Sequence, residues 1–417
     1  MIQPTSNVPQ TAVYEQVCRK LDEPGTLIVG IDAGKGRYVA CVATSSGELL
    51  RKRLAVRGDA AGFTALELEL KALGPLERYV AAMEPTGGYT VCLEQFLRDV
   101  GVTGVRVHPL KVKSNRRTLD LSENKSDDRD AVNIVDLVRQ KKFYVPLPQN
   151  EANRWLLAAV REYGTLVVDR ARLVARLRLI LEEHFPELER AFTEVPCKTL
   201  LAVLKRTSHP EAIRRLPLSA FFKEFQGEKG LGKGRLEGIY RLALHSVGCR
   251  GLEEVYRYRI GGWVKAWEGF EIRERETVAQ MEVLAKSHPA YAHLDTIPGV
   301  GPVTIAVYLA HMPAPDRFTC ASRVVKFFGL DVVERSSGQW QPTQRRISKR
   351  GSPVMRKSLY NAALACLQHN GVLRSFYDRL VDRGKRPKIA LVAIMAKLLR
   401  ILFALHRDMA DWNPDRA

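Results

Sequence analysis

Three apolar runs of strand length follow one another almost without interruption: Thr26–Asp32, Arg37–Thr44 and Glu48–Val56. Only Gly34-Lys35-Gly36 and Ser45-Ser46-Gly47 separate them. Turns that short join antiparallel neighbours, because a parallel pair needs a crossover of a dozen residues or more. The chain is therefore committed to an antiparallel meander close to its N-terminus. The pattern then alternates, with a helix at Ala60–Leu73, a strand at Arg78–Glu84, a helix at Tyr89–Val100, a strand at Thr103–His108 and a helix at Asp127–Lys142. Such alternation predicts an α/β domain with helices laid against the sheet. Residues 1–24 are polar and weakly periodic, and read as a loose tail or a short helix.

Carboxylates stand where the apolar runs end. Asp32 closes the first run, and Glu84 closes the run Tyr79–Met83 and is followed by Pro85-Thr86-Gly87-Gly88. A charge at the end of a buried strand needs a reason. Asp127 and Asp130, three apart at the start of a helical pattern, share one helix face. Strand-end acids with an i, i+3 helical pair can converge on two Mg²⁺ ions, which take hard oxygen ligands. The order of elements is that of an RNase H-like nuclease domain. The plain alternative is that Asp127 and Asp130 only complement the helix dipole.

Beyond this domain, residues 151–184 carry Leu156, Val160, Tyr163, Val167, Val174, Leu177 and Leu181 at 3/4 spacing, with Arg170 in one seam position. That seam suggests a coiled coil. It reads as a dimerisation arm or a nucleic-acid strut, its other face holding Arg161, Arg172, Arg176 and Arg178, with an intramolecular antiparallel hairpin as the alternative. Residues 263–286 read as the return arm, and Lys223–Arg235 as an exposed basic loop. A compact helical domain follows from Leu294.

Within that domain, Ile297-Pro298-Gly299-Val300-Gly301 is a tight turn feeding an apolar helix, the pattern of a helix-hairpin-helix backbone reader. Gly299 and Gly301 would let N–H groups approach a phosphate. A Gly-Pro turn between two helices is the simpler account. Residues 332–357 hold Arg335, Arg345, Arg346, Lys349, Arg350, Arg356 and Lys357 against one acid, Glu334. Ser336-Ser337-Gly338 heads this stretch; a serine near arginines can be a phosphoryl-transfer nucleophile, but from the residues alone a turn in a DNA-contacting loop is the favoured reading.

Composition narrows the partner. Lys+Arg 65 against Asp+Glu 46 leaves +19, a surplus suited to nucleic acid. The seven cysteines are scattered with no CxxC pair, which argues for a reducing cytosol and against a disulfide framework or a zinc site. There is no GxxxxGK[ST] loop, no HExxH and no signal-peptide pattern. The longest apolar stretch, Ile389–Leu405, is broken by Lys397 and Arg400, falls short of the roughly 20 residues a bilayer requires, and reads as a packed amphipathic helix.

Taken together, the segments resemble the DEDD transposases of the IS110 insertion-sequence family, which includes the Piv-type invertases. The N-terminal resemblance rests on Gly30-Ile31-Asp32, Met83-Glu84-Pro85-Thr86-Gly87-Gly88-Tyr89 and Asn124-Lys125-Ser126-Asp127-Asp128-Arg129-Asp130-Ala131. The C-terminal resemblance rests on Ile297-Pro298-Gly299-Val300-Gly301, Arg317-Phe318, Phe328-Gly329-Leu330, Ser337-Gly338 and Ile347-Ser348-Lys349-Arg350-Gly351. It implies an α/β RuvC-like (RNase H-like) domain at 25–148 after a tail at 1–24. A helical coiled-coil linker with an insertion would occupy 149–290, and a mainly α transposase domain with the helix-hairpin-helix-like element 291–417. The stretch 190–265 is longer than the family's compact linker and reads as an insertion for RNA or multimer contacts.

The resemblance further implies that Asp32, Glu84, Asp127 and Asp130 hold Mg²⁺, with Mn²⁺ as a substitute, and that Ser337 is the nucleophile, Ser336 standing second. Arg345, Arg346, Lys349, Arg350, Arg356 and Lys357 would grip phosphates. The expected partners are DNA, a non-coding guide RNA from the same element and further copies of the chain as a dimer or tetramer, in the bacterial or archaeal cytosol and without a membrane. The alternative activity is a Holliday-junction-type endonuclease using the same acids with water.

Overall fold

The computed structural model describes residues 10–85, 87–120, 127–146, 150–207, 209–333 and 346–416. The chain forms two compact units, Met1–Pro148 and Gln149–Ala417.

The first unit is built on a six-stranded sheet in the order β3-β2-β1-β4-β5-β6. Its elements in chain order are α1 (Gln10–Asp22), β1 (Leu27–Gly34), β2 (Arg37–Thr44), β3 (Leu49–Arg57), α2 (Ala60–Leu73), β4 (Tyr79–Met83), α3 (Val91–Asp99), β5 (Thr103–Val107), α4 (Pro109–Asp120), α5 (Asp127–Arg139) and β6 (Phe143–Tyr144). The short turns do join β1, β2 and β3 as an antiparallel meander, while β4 runs parallel to β1 and β5 parallel to β4. Central strands β1 and β4 are buried on both faces, which is why they read as unbroken apolar runs.

The two sheet faces carry separate cores. Val29, Ile31, Ala81 and Met83 meet Leu66, Leu70, Leu93 and Leu97 of α2 and α3. On the other face Ile28, Val80 and Ala82 meet Ala131, Ile134, Val135 and Val138 of α5, with Val17 and Leu21 of α1. The approach of α5 to β1 depends on Gly30. A Cβ there would lie 2.4 Å from the Ala131 carbonyl oxygen and 2.8 Å from Val135 Cγ2. Helix α4, which the sequence pattern left unassigned, is tied to α5 by polar groups: buried Asn133 donates to the Val112 carbonyl (2.8 Å) and accepts from Asn115 Nδ2 (2.8 Å). Asn115 also donates to Asp136 (2.9 Å), so Asp136 serves as a structural acceptor.

The second unit is helical apart from a two-stranded ladder. Two 34-residue helices, α6 (Glu151–His184) and α12 (Glu253–Lys286), lie antiparallel. Leu156 and Val160 near the start of α6 share a core with Met281 and Ala285 near the end of α12. At the other end, the Trp263 indole donates to the Leu173 carbonyl (2.8 Å) and Cys249 N–H to the Glu183 carbonyl (3.0 Å). The expected return arm thus begins ten residues earlier than Trp263, at Glu253.

Between these legs, short helices α7 (Pro186–Arg190), α8 (Lys198–Lys205), α9 (Pro210–Arg214), α10 (Leu218–Glu224) and α11 (Lys233–Leu244) enclose their own core of Phe185, Phe221, Phe225, Leu236, Trp263 and Trp267. The basic segment Lys223–Arg235 is a loop only over 225–232, its ends belonging to α10 and α11.

The C-terminal helices are α13 (Tyr291–Asp295), α14 (Pro302–His311), α15 (Ala321–Phe327), α16 (Pro353–His369), α17 (Gly371–Asp382) and α18 (Pro387–Asp408). Strands β7 (Val332–Val333) and β8 (Arg346–Ile347) pair between α15 and α16. The reading of Ile389–Leu405 as a packed helix holds, although α18 is long enough, and over an 18-residue window apolar enough (mean hydropathy 2.1), to cross a bilayer by composition. Its Ile394, Leu398, Leu399 and Leu402 instead fill the core under α14 and α16.

Candidate active site

Strand alternation places the first two acids. Ile28 and Asp32 of β1 point to the α5 face, as do Val80, Ala82 and, one step beyond β4, Glu84. The parallel register pairs Ile31 with Met83, so Asp32 and Glu84 are the next residues on neighbouring strands. Asp130 sits on α5 just before Ala131, whose carbonyl abuts Gly30, and is only 4 % exposed. Asp32, Glu84 and Asp130 consequently line one cleft of about 880 Å³. Asp127 is the first residue of α5, three positions before Asp130.

The cleft's donor set fits a hard divalent cation. Three carboxylates, one two residues before the end of β1, one just beyond β4 and one on α5, supply anionic oxygen from separate elements. Four cations share the lining: Arg37, Arg53 and Arg57 of the meander, and Lys113 of α4. The sequence reading missed all four. Arg53, Ala55 and Arg57 alternate on β3, a period-2 signal that was present but had no known face. Lys113 lay in the unassigned segment.

A second cluster lies in the second unit. His209, Glu211 and Glu253 have ligand atoms within 4.8 Å of one another. There Glu253 is held by Arg215 (3.0 Å) and Arg257 (2.8 Å), and Glu211 accepts Gly251 N–H on both oxygens (3.2 Å). The protein's own cations and amides already meet its charge. Burial lowers the pKa of His209, as it does that of neighbouring His184.

In the second unit, Gly299 has φ +88°, and a Cβ on it would fall 2.7 Å from the backbone of Cys366 in α16. Gly301 is the exposed N-cap of α14. Arg346 lies on β8 opposite Val333, and Lys349 and Arg350 are exposed. Arg356 donates through Nη1 to the carbonyls of Arg350 (2.8 Å), Gly351 (3.1 Å) and Phe328 (3.3 Å). Burial lowers its pKa. Lys357 is exposed and borders a groove with Val167, Arg170 and Val174 of α6. Ser336, Ser337 and Arg345 fall outside the described residues.

The chain is similar to known insertion-element proteins. Residues 29–186 match the family model for the DEDD transposase of IS110, and residues 291–378 that for the transposase IS116/IS110/IS902 family. The chain is 24% identical over 397 residues to an insertion element IS116 protein of Streptomyces clavuligerus, covering 93% of this chain and 96% of that one. It is 24% identical over 393 residues to an insertion element IS900 protein of Mycobacterium paratuberculosis, covering 92% and 96%. A pilin gene-inverting protein of Moraxella bovis is 30% identical over 116 residues, 28% of this chain and 36% of that protein.

Proposed function

The chain belongs to the IS110/IS116/IS902 family of transposases, and we propose that it recombines DNA through a metal-assisted serine nucleophile. The observation that carries this reading is the convergence of Asp32, Glu84 and Asp130 on one cleft. With Asp127 these carboxylates would hold Mg²⁺, for which Mn²⁺ would substitute. The metal, when bound, supplies charge stabilisation at the scissile phosphate and the departing oxygen. The Ser337 hydroxyl gives up its proton and attacks phosphorus. The P–O bond to one sugar oxygen breaks, that oxygen takes a proton, and a phosphoserine diester preserves the energy needed for rejoining. Arg345, Arg346, Lys349, Arg350 and Lys357, with Arg356 anchored among carbonyls, would hold backbone phosphates, and the turn carrying Gly299 and Gly301 would read DNA as a helix-hairpin-helix. A guide RNA encoded by the same element would select the DNA, and a dimer or tetramer would pair one copy's acids with another's serine. The seam of α6 would act as a coiled coil.

The test is the adduct. The protein is incubated with its native flanking DNA and Mg²⁺, digested, and analysed by mass spectrometry. A nucleotide on Ser337, absent in Ser337→Ala, is the expected result; one on Ser336 reassigns the nucleophile. Mg²⁺-dependent cleavage persisting in Ser337→Ala without an adduct would replace this reading with the water-using endonuclease.

A further inference from the structure

Register fixes the cations of the cleft relative to its acids. Asp32 is paired with Val39, and Val39 with Ala55, so a row of small side chains crosses β1, β2 and β3 beside the carboxylate. In the next row on the same face, Gly34 is paired with Arg37 and Arg37 with Arg57. With strands about 4.8 Å apart and two residues advancing about 7 Å, both arginines lie within side-chain reach of a strand crossing that row. Arg53 stands on the other side of Ala55, and Lys113 of α4 faces the same space.

The arrangement sets two like charges side by side. Like charges directly opposite in an antiparallel pair repel, yet Arg37 and Arg57 are directly opposite. Arg57 is met by Asp59 (3.2 Å), but Arg37 makes no ion pair among the described residues. Arg37, Arg53, Arg57 and Lys113 share the lining with Asp32, Glu84 and Asp130, and a divalent ion on the acids would offset their charge and leave the cations to a polyanion. Small residues on the floor and cations on the sides suit a phosphodiester backbone laid beside the acidic end.

We propose that Arg37 and Arg57 form a phosphate clamp, flanked by Arg53 and Lys113, that holds the strand being cut across β2 and β3 next to Asp32, Glu84 and Asp130. The clamp rests on the reading of that cleft as the cutting site. The two arginines are positioning residues: they fix the strand so that one phosphate reaches the acids, and they touch its neighbours.

The experiment is a fluorescence-anisotropy titration of the full chain with a labelled duplex of its native flanking DNA, in EDTA, across a series of salt concentrations. Each lost phosphate contact makes the slope of log affinity against log salt shallower by about 0.9. The Arg37→Gln/Arg57→Gln double variant is expected to lose about two in slope, while Arg37→Lys/Arg57→Lys keeps it. Removing the like-charge pair should leave the melting temperature equal or higher, unlike the loss of a structural contact. An unchanged slope in the glutamine variant, or an equal loss in the lysine variant, overturns the clamp. Asp130→Asn run in parallel separates the two ideas. If it stops cleavage while the glutamine variant keeps its slope, the clamp fails and the site stands. If it cleaves normally while the glutamine variant loses slope, the site fails and the clamp is a binding surface only.

Discussion

Gly30→Ala is the sharpest test of how the fold builds the site. The added methyl would sit 2.4 Å from the Ala131 carbonyl oxygen, 2.8 Å from Val135 Cγ2 and 2.9 Å from Val135 N, whereas ordinary contact begins at 3.4 Å. The shortfall against the carbonyl is about 1 Å, and two of the three obstructing atoms are backbone, which no rotamer change can move. Helix α5 must therefore lift from β1, taking Asp130 with it. Overpacking of this kind costs about 1–3 kcal/mol. A misplacement of about 1 Å at a reacting centre costs on the order of 10²-fold in rate. Gly104→Ala on β5 is the control, because a Cβ there meets nothing within 4 Å. The assays are thermal unfolding and Mg²⁺-dependent cleavage of flanking DNA. Gly30→Ala should melt several degrees lower and cleave about a hundredfold more slowly, with Gly104→Ala near wild type in both. Wild-type cleavage by a folded Gly30→Ala protein would show that contact between α5 and β1 does not set the geometry of the acids.

Three further outcomes are expected. Asp130→Asn should abolish cleavage and leave DNA binding in place, as should metal removal by EDTA; cleavage at the wild-type rate, measured on the same DNA, would take Asp130 out of the site. Asn133→Ala should destabilise the first unit by about 1–3 kcal/mol in urea unfolding, because it strands the buried Val112 carbonyl and one Asn115 N–H, the amide keeping its bond to Asp136; a loss under about 0.5 kcal/mol would show that these groups find other partners. The second unit should weaken in acid through His406, which burial, with a smaller contribution from His288, pushes down to about 3 from 6.5. Below pH 6.5 the unfolded chain takes up a proton that the folded chain refuses, so stability falls by about 1.4 kcal/mol per pH unit until pH approaches 3. His406→Leu should make that dependence shallower in unfolding curves at pH 7.5 and 5.5, with His184, His209, His288 and His311, whose pKa values burial also lowers, keeping the rest, and an equally steep dependence in the variant would take His406 out of it.

What the sequence disclosed, and what it hid, follows from where each residue's constraint originates. The acids at the ends of β1 and β4 were visible because both strands are buried on two faces, so a carboxylate at the end of such a run stands out. Helix α4 was invisible for the opposite reason: among its described side chains the anchors are Val112 and the Asn115–Asn133–Asp136 network, and polar anchors leave no apolar period. Arg37 and Arg57 lie twenty residues apart and become neighbours only through a register set by the turn between β2 and β3. Helix α18 shows the limit of apolar content as a signal, since the composition that could cross a bilayer is spent on a core.

The turn at Ile297–Gly301 shows the same limit within one motif. Two glycines spaced for phosphate approach look equivalent in sequence, yet they answer to different demands. Gly299 is fixed by its positive φ and by the backbone of Cys366, both of which would require glycine with no ligand at all. Gly301 has no left-handed backbone, a Cβ on it would meet nothing within 4 Å, and it is the N-cap of α14. Packing therefore explains the first glycine and leaves the second without a structural reason, so any case for phosphate contact at this turn has to be made at Gly301. A motif read as one functional unit divides, once folded, into a residue that builds the turn and a residue the turn presents.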